Sequence, residues 1–285
     1  MIRPYADVIG DPIIQSKSPA IHGFWLEKLG IAADYRATHV RAQDLADYVA
    51  SRRADPLWRG CNVTMPHKQA VMPLLYSVEQ PAARVGAVNT IYPAFDRLLA
   101  GQNTDVAGFL EPLEPLLAQP SLMRMARVFG AGGAARAVVA ALAARGFIIV
   151  LAARDPAKAR ALLDELAPGG DHHAVDIAHF ASPTDFAFDD REGVLDLVVN
   201  ASPLGMAGHG PLQLDFSHVP PGAVVYDIVT YPLDTPLLVE ARARGHATID
   251  GLAMLIGQAA AAFEMFFGQA APRQFDAELR ARLTS

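Results

Sequence analysis

The chain has 285 residues, 52% of them hydrophobic and 19% charged, which supplies ample apolar material for a core and argues against disorder. Its length is typical of two domains of ordinary size. The net charge is −6, and lysine and arginine are scattered rather than clustered, so a nucleic-acid partner is not expected.

A single cysteine rules out a disulfide within the chain, which fits a reducing compartment. The first residues run directly into a strand-like segment without the apolar region of a signal peptide, and no segment is long enough to span a bilayer. We therefore expect a cytoplasmic protein without a membrane partner, either a monomer or a homodimer.

Apolar strand-like runs alternate with helical patterns along the chain. The predicted strands are 7–10, 35–40, 60–63, 87–92, 126–129, 147–152, 195–200, 224–229 and 247–249. The predicted helices are 19–29, 43–51, 106–117, 134–144, 157–166, 237–244 and 252–267. Alternation of this kind predicts an α/β fold with βαβ units and mainly parallel sheets.

Capping residues mark the ends of the predicted helices. Ser18 precedes Pro19, which is typical of an N-cap hydroxyl followed by proline in the first turn. Gly30 lies just past the end of the same helix, and Gly146 closes the helix over 134–144 in the same way.

A domain boundary is predicted near Asp105, followed by a connecting helix over 106–117. The last long helix, 252–267, is apolar nearly all round and therefore requires burial on several sides. We expect it to return to the first domain. The predicted domains are residues 1–105 with 251–285, and residues 106–250.

A glycine-rich turn lies in the segment RVFGAGGAARAVVAALAARG, between a predicted strand and a helix. Gly130, Gly132 and Ala135 fit the dinucleotide-binding pattern G-x-G-x-x-[G/A]. The first glycine permits a tight turn, and the second lets backbone N–H groups approach a pyrophosphate at the positive end of the helix. The alternative is tight packing without a nucleotide, which the flanking strand and helix disfavour.

The end of the following strand is where such domains distinguish NADP from NAD. Arg154 there would hold a 2′-phosphate, which favours NADP, whereas Asp155 would accept a hydrogen bond from a free 2′-hydroxyl, which favours NAD. A solvated strand end is the third interpretation. Because Arg154 lies nearer the end of the strand, we expect NADP, with NAD as the alternative.

Polar stretches stand at or just after predicted strand ends in the first domain, at residues 15–19, 62–68, 88–90 and 103–105. In open parallel sheets, ligands bind outside the carboxyl ends of the strands. Small hydroxyls and amides there suit a small polyhydroxylated substrate. Ser16 and Ser18, beside a helix N-terminus, suit a substrate carboxylate, with plain capping as the alternative for Ser18.

Lys68 and Asp105 are the candidates for chemistry. Oxidation of a secondary alcohol requires a hydride acceptor and a base for the hydroxyl proton. A free lysine is protonated at neutral pH, and a nearby aspartate favours that charged form. We therefore expect a coupled pair in which Lys68 donates to a carbonyl in the reducing direction. A solvated Lys68 is the alternative, and His67 is expected to point elsewhere.

The histidines and the cysteine show no metal-ligand spacing, so no metal is expected.

Taken together, these segments resemble the shikimate dehydrogenase family. The resemblance runs in order through VIGDPIIQSKSPAIH, GCNVTMPHK, GAVNT, GQNTDVAGF, VFGAGGAARA, VVNASPLGM, VYDIVTYPLDTPLL and DGLAMLIGQAAAAF. It implies an oxidoreductase of aromatic amino acid biosynthesis that reversibly reduces 3-dehydroshikimate to shikimate with NADPH. It also implies an N-terminal α/β substrate domain, a Rossmann-like dinucleotide-binding domain, and an active site in the cleft between them.

By matching position, the resemblance implies roles for individual residues. The substrate carboxylate would be held by Ser16 and Ser18. The ring hydroxyls would be contacted by Thr64, Asn89 and Gln258, and a further substrate-facing position is Thr230. The catalytic pair would be Lys68 and Asp105. The residues expected to bind the cofactor are Gly130, Ala131, Gly132, Gly133, Ala134, Arg154, Asp155, Met206 and Gly251.

The chain departs from the family pattern at two places. NADP-using members commonly carry Asn-Arg-Thr where this chain has Ala153-Arg154-Asp155. Thr230 stands where the family often has a tyrosine, and the shorter side chain leaves room for a different acid. The alternative function is therefore an NAD-preferring quinate or shikimate dehydrogenase, or a relative acting on another ring hydroxy acid. A nucleotide-binding sensor is the non-enzymatic alternative, and the Lys68–Asp105 pair argues against it.

Overall fold

The computed structural model describes residues 3–188 and 191–284 of the chain. The chain divides into two compact units, Met1–Gly108 with Ile256–Ser285, and Phe109–Leu255. Each unit contains a 6-stranded sheet flanked by helices, which confirms the predicted α/β fold class. Within the described residues, no helix combines the length and apolar character needed to cross a membrane.

The helices share the short lengths typical of α/β proteins, apart from one long helix near the C-terminus. They are α1 (Ser18–Leu29), α2 (Leu45–Ala54), α3 (His67–Ala70), α4 (Ala82–Val85), α5 (Asp105–Leu110), α6 (Glu114–Leu117), α7 (Gly133–Ala144), α8 (Pro156–Leu166), α9 (Pro236–Ala243), α10 (Gly251–Phe267) and α11 (Asp276–Thr284).

The sheet of the first unit is parallel except for one strand. Its strands are β1 (Tyr5–Gly10), β2 (Asp34–His39), β3 (Trp58–Val63), β4 (Ser77–Val78), β5 (Thr90–Pro93) and β6 (Leu99–Gln102). They lie in the order β2-β1-β3-β5-β6-β4. The strand β5 runs antiparallel to both of its neighbours, β3 and β6, while the other pairings are parallel.

The direction of β5 corrects one sequence-based expectation. Residues 88–90 were predicted at the carboxyl end of a strand, but they stand at the amino end of β5, which begins at Thr90. Because β5 is antiparallel, its amino end lies at the same edge of the sheet as the carboxyl ends of β3 and β6. The polar residues therefore reach the expected edge by a different route.

Helix α10 packs its last turns against the sheet of the first unit, as predicted. Ala262 and Phe266 are buried against Ala6 of β1. Gly60 of β3 has a φ of +144°, and a Cβ there would lie 2.5 Å from both the Ile91 carbonyl oxygen and the Phe266 ring. The missing side chain thus admits the helix, and burial of Phe266 contributes about 2–3 kcal/mol. This packing fixes the helix that carries Gln258.

The start of α1 differs from the prediction. The helix begins at Ser18, and its N-cap is Lys17, which makes no capping hydrogen bond through its side chain. The predicted N-cap role of Ser18 is therefore wrong, because helical backbone angles are already present at Lys17. The Ser18 N–H donates instead to Oγ of Ser16, at 3.3 Å. The predicted glycine ends are confirmed: Gly30 is the C-cap of α1, and Gly146 follows Arg145, the C-cap of α7, both with left-handed angles.

The connecting helix predicted over 106–117 is interrupted. Helix α5 ends at Leu110, and a 3-10 turn over Glu111–Leu113 separates it from α6. Pro112 and Pro115 explain the break, because proline has no N–H to donate and its ring disfavours a helical residue before it.

The sheet of the second unit is parallel throughout. Its strands are β7 (Met123–Phe129), β8 (Ile148–Ala153), β9 (His173–Asp176), β10 (Val194–Asn200), β11 (Val224–Asp227) and β12 (Thr248–Ile249). From β9 to β12 the order is β9-β8-β7-β10-β11-β12, which is the 3-2-1-4-5-6 arrangement of dinucleotide-binding domains. Ligands bind such sheets at the switch point, here between β7 and β10.

Candidate active site

The predicted polar residues of the first unit meet at one edge of its sheet, which we call the polar edge. It is formed by the segments that follow β1, β3 and β6 and by the segment that precedes β5. Its side chains are Ser16, Ser18, Thr64, Lys68, Asn89, Thr104 and Asp105.

Lys68 and Asp105 form an ion pair at the polar edge. Lys68 lies on α3, immediately after β3, and Asp105 is the first residue of α5, immediately after β6. The Lys68 Nζ lies 2.5 Å from Oδ2 of Asp105. The side chains are 17% and 9% exposed, respectively, so the ammonium keeps partial access to solvent while the carboxylate is nearly buried. A protonated lysine held in this way can donate to a carbonyl oxygen placed beside it.

Asn89 holds the same carboxylate from the other side. Its Nδ2 donates to Oδ1 of Asp105 at 2.8 Å and to Oγ1 of Thr104 at 2.9 Å. Its Oδ1 accepts from the backbone N–H of Thr104 at 2.7 Å. Both amide hydrogens of Asn89 are thus engaged within the protein, and its clearest structural role is the support of Asp105.

The loop before α5 is organised by Asn103, which the sequence did not single out. Its Oδ1 accepts from the backbone N–H groups of Asp105 and Val106, at 3.0 and 3.4 Å. Its Nδ2 donates to the Ala87 carbonyl at 2.9 Å. Asn103 therefore caps α5 and ties it to the segment before Asn89. The repeated Asn-Thr pairs at 89–90 and 103–104 were the available signal.

The remaining predicted substrate residues lie around this pair. Thr64 is partly buried in the turn between β3 and α3. Gln258 of α10 is buried, and its Oε1 accepts from Oγ1 of Thr104 at 3.4 Å. Ser18 is buried at the start of α1, and Ser16 is partly buried in the preceding turn.

His67 points away from the pair, as expected. Its side chain is buried, and its Nε2 lies 2.6 Å from the Val40 carbonyl oxygen. The neighbouring residue in the chain therefore does not compete with Lys68 for the proton.

The glycine-rich turn of the second unit leaves room for a pyrophosphate. Gly130 has a φ of +112°, and a Cβ there would lie 2.9 Å from the carbonyl oxygen of Ala201, which follows β10. A Cβ at Gly132 or Gly133 would meet no atom within 4 Å. Gly132 is the N-cap of α7, so the N–H groups of that helix face open space at its positive end. These residues fit a dinucleotide.

At the end of β8, the two residues expected to contact the ribose, Arg154 and Asp155, have different environments. Oδ1 of Asp155 accepts from the backbone N–H groups of Ala157 and Lys158, at 3.0 and 3.2 Å, which makes Asp155 the N-cap of α8. Arg154 is exposed beside it. The N–H of Gly130 donates to the Ala152 carbonyl at 2.8 Å, so the end of β8 borders the glycine-rich turn.

Three further loops of the second unit meet at the carboxyl ends of its strands. The N–H of Ala207, next to Met206, donates to the Tyr231 carbonyl at 3.0 Å, which joins the loop after β10 to the loop that contains Thr230. Gly251 lies against the Val229 carbonyl so closely that a Cβ would overlap it.

A buried pair that the sequence missed holds these loops. Nδ2 of Asn200 donates to Oδ1 of Asp227 at 3.0 Å and to the Leu204 carbonyl at 2.8 Å. Oδ2 of Asp227 accepts from Thr235 Oγ1 at 2.7 Å. Burial raises the pKa of Asp227, and these hydrogen bonds oppose that effect.

Metal ligation finds no support in the part of the chain that the structure describes. Among residues 3–188 and 191–284, no group of three or more His, Cys, Asp or Glu side chains is arranged to hold a metal ion.

Comparison with known proteins identifies the family. Residues 8–91 match the shikimate dehydrogenase substrate binding domain, and residues 251–275 match the shikimate 5′-dehydrogenase C-terminal domain. The chain is 52% identical to a protein of Sphingopyxis alaskensis named shikimate dehydrogenase (NADP(+)), over 99% of this chain and 97% of the relative.

Solved structures of similar proteins have the same fold. A shikimate 5-dehydrogenase from Thermus thermophilus, in complex with NADP(H) and shikimate, is 34% identical with a TM-score of 0.81, over 98% of this chain and 99% of that one. A quinate dehydrogenase from Corynebacterium glutamicum, in complex with NAD, is 33% identical with a TM-score of 0.83, over 98% and 99%. With these similarities along nearly its full length, the chain belongs to the shikimate dehydrogenase family.

Proposed function

We propose that this protein is a shikimate dehydrogenase that reversibly reduces 3-dehydroshikimate to shikimate with NADPH, in the cytoplasm and as part of aromatic amino acid biosynthesis. The observation that carries the proposal is the contact between Lys68 and Asp105 at the polar edge, because a binding module has no need of a proton-transfer pair. The name of the Sphingopyxis alaskensis relative and the ligands of the Thermus thermophilus structure support the same reaction. The protein acts as a monomer or homodimer.

The pair performs the proton part of the reaction. NADPH, when bound, supplies the hydride to the carbonyl carbon of the substrate. The Lys68 ammonium donates a proton to the carbonyl oxygen, so the C=O group becomes CH–OH and the cofactor is oxidised. Asp105 keeps the ammonium oriented at 2.5 Å, and the partial exposure of Lys68 allows a solvent proton to restore it.

Residues around the pair bind the substrate. Ser16 and Ser18 lie at the N-terminus of α1, a 12-residue helix whose positive end attracts a carboxylate. Thr64 and Gln258 offer a hydroxyl and an amide to the ring hydroxyls. Asn89 does so only at the cost of bonds that it already makes within the protein. Thr230 is a further substrate-facing position.

The second unit binds NADP in preference to NAD. Oδ1 of Asp155 is engaged as a helix cap, so this side chain has a structural reason to be present, and Arg154 remains as an exposed cation beside the glycine-rich turn. A guanidinium at this place suits a 2′-phosphate. Gly130, Ala131, Gly132, Gly133 and Ala134 form the pyrophosphate site. Met206 and Gly251 complete the cofactor site from the loops after β10 and β12.

The second candidate is an NAD-dependent quinate dehydrogenase. It is favoured by Thr230, which is smaller than the tyrosine common in the family, and by the similarity to the solved quinate dehydrogenase. The capping role of Asp155 argues against it, because that carboxylate is the feature of the strand end that would select for NAD.

An activity matrix tests the proposal. Initial rates are measured with purified protein for shikimate and quinate, each with NADP and NAD. We expect the highest kcat/KM for shikimate with NADP, by at least about tenfold over the other three combinations. Equal or better turnover of quinate with NAD would replace the first candidate by the second, and no turnover in any combination would contradict both.

A further inference from the structure

We propose that Tyr35 is a positioning residue for the reaction, and that it acts on Asp105 through a directed chain of hydrogen bonds. The inference rests on the proposed function, because it concerns how the Lys68–Asp105 pair is held. Tyr35 lies on β2, far from the pair in the sequence.

Four hydrogen bonds in series link Tyr35 to the carboxylate of Asp105. Tyr35 OH donates to Oδ1 of Asn62 at 2.6 Å, and Nδ2 of Asn62 donates to Oγ1 of Thr90 at 3.0 Å. Thr90 Oγ1 donates to Oδ1 of Asn89 at 3.0 Å, and Nδ2 of Asn89 donates to Oδ1 of Asp105 at 2.8 Å. Every donor points toward Asp105.

Backbone groups fix this direction at both amides. Nδ2 of Asn62 faces the Asn89 carbonyl oxygen at 3.3 Å, and a carbonyl can only accept, so Oδ1 of Asn62 must face Tyr35. Oδ1 of Asn89 faces the backbone N–H of Thr104 at 2.7 Å, and an N–H can only donate, so Nδ2 must face Asp105. The direction of the four hydrogen bonds therefore cannot be reversed by a flip of either amide.

The hydrogen-bonded side chains between Tyr35 and Asp105 are buried, so the loss of any one hydrogen bond is not compensated. Asn62, Thr90 and Asn89 are 5%, 0% and 2% exposed, so water does not replace a lost partner there. Burial raises the pKa of Tyr35 well above its usual range, which keeps its hydroxyl a donor at every pH at which the protein works. Hydrogen bonds in series polarise one another, so a donor at the start strengthens the bond at the end.

The hydroxyl of Tyr35 can be tested apart from its ring. The ring stacks on His22, with centroids 4.0 Å and planes 3° apart, and packs near Phe266. Tyr35→Phe preserves these ring contacts and removes the hydroxyl, which is the first donor of the series and also faces the Ser18 side chain. Oδ1 of Asn62 then loses its hydrogen-bond donor. The amide of Asn62 can shift, and this shift loosens the positions of Thr90, Asn89 and Asp105.

The decisive measurement separates kcat from KM. For Tyr35→Phe we expect kcat to fall about tenfold, with KM for the acid and for the nucleotide changed by less than about twofold. A primary deuterium isotope effect on kcat, measured with substrate deuterated at the oxidised carbon, should rise because the chemical step becomes slower. Binding of the acid without nucleotide, measured by calorimetry, should stay within about twofold.

Tyr92→Phe is the matched control. Its ring packs in the same cluster as Tyr35, and its hydroxyl donates to Oε2 of Glu79 at 2.9 Å, outside the chain. This variant loses a tyrosine hydroxyl from the same unit, and we expect its kcat to stay within about twofold of the wild type.

A second pair of variants tests the middle of the hydrogen-bond series, at Thr90. Thr90→Val removes the hydroxyl at nearly constant volume and should lower kcat at least as much as Tyr35→Phe, whereas Thr90→Ser keeps the hydroxyl and should restore kcat to within about threefold of the wild type. This pair decides the matter should Tyr35→Phe fail to fold.

The comparison uses the acid and nucleotide that the wild type turns over fastest, so it does not depend on which candidate function is correct. An active wild type with unchanged kcat in a folded Tyr35→Phe, or with unchanged kcat in Thr90→Val, would overturn the inference while leaving the proposed function intact. Equal losses in Tyr92→Phe, a rise in KM without a fall in kcat, or no rescue by Thr90→Ser would also overturn it.

Discussion

The Nζ atom of Lys68 lies 2.5 Å from Oδ2 of Asp105, across 37 residues of sequence, in a place where both side chains are largely withdrawn from water. Removing two charges from water is costly unless each finds its partner. The carboxylate therefore keeps the ammonium in one position beside the polar edge, where it can meet a carbonyl oxygen.

Replacement of the lysine should abolish most of the activity. In Lys68→Ala, the side chain placed to donate the proton is gone, and we expect kcat to fall at least about a hundredfold with nucleotide affinity nearly unchanged. Steady-state kinetics and fluorescence titration with NADPH measure the two quantities. Lys28→Ala is the control, because Lys28 forms a surface ion pair with Glu278 and should not affect turnover. Near-normal kcat in Lys68→Ala would remove Lys68 from the mechanism.

Replacement of the aspartate should cause a smaller loss. Asp105→Asn keeps the shape of the side chain and an oxygen that can accept from Asn89, but it removes the charge that orients Lys68. We expect kcat to fall about thirtyfold, which is less than the effect of Lys68→Ala. Parallel kinetics on the two variants check the order, and a larger loss in Asp105→Asn would assign the main proton transfer to the carboxylate.

The sequence predicted the polar edge well because its evidence is local. Each polar stretch adjoins an apolar run, and strand ends in parallel sheets converge on one edge. The antiparallel direction of β5 was not visible, since residues 87–92 have no feature that distinguishes one direction from the other. The strands β4, β6 and β9 were not predicted: β4 has only two residues, β6 is a four-residue run that includes a glycine, and β9 is polar and partly exposed.

Side-chain partners were beyond the sequence for a different reason. The link from Tyr35 to Asn62 and the link from Asn89 to Asp105 depend on atomic positions set by packing, and no local pattern encodes them. The capping role of Asp155 could have been predicted, because Asp155-Pro156 is a typical helix start. The ribose interpretation of Asp155 did not take that signal into account.

Two glycines of the cofactor turn should respond differently to the same substitution. Gly130→Ala places a Cβ against the Ala201 carbonyl at a φ of +112°, so we expect the unfolding temperature to fall by several degrees and nucleotide binding to be lost. Gly132→Ala meets no protein atom, so stability should be unchanged while NADP affinity falls at least about tenfold. Thermal unfolding and nucleotide titration on both variants measure this. A stable Gly130→Ala variant, or normal NADP affinity in Gly132→Ala, would contradict the assigned roles.

Arg154 should determine the choice of nucleotide. In Arg154→Ala we expect KM for NADP to rise at least about tenfold and KM for NAD to change by less than about twofold, because only the 2′-phosphate loses a partner. Arg145→Ala serves as the control, since Arg145 pairs with Glu114 and lies at the other end of α7. Equal effects on the two nucleotides would show that Arg154 does not select between them.

His22 should make the first unit less stable at mildly acidic pH. Burial lowers the pKa of His22 to about 3, and among the described residues neither ring nitrogen has a hydrogen-bond partner. In the unfolded chain the pKa is about 6.5, so below that pH the unfolded state binds a proton that the folded state does not. Stability contributed by the neutral ring is present above about pH 6.5 and is lost as the pH falls toward 3, by about 2 kcal/mol between pH 6.5 and 5.

The two tryptophans of the chain, Trp25 and Trp58, both lie in the first unit, so urea unfolding followed by their fluorescence reports on that unit. Between about pH 7 and 5, the wild type should lose about 2 kcal/mol more than His22→Phe, which keeps a ring against Tyr35 but cannot be protonated. Other titrating groups are common to both proteins and cancel in the difference. His209→Asn, at an exposed histidine, should behave like the wild type. Parallel pH profiles for the wild type and His22→Phe would show that the folded state accommodates the charged imidazole, and the depressed pKa would then be wrong.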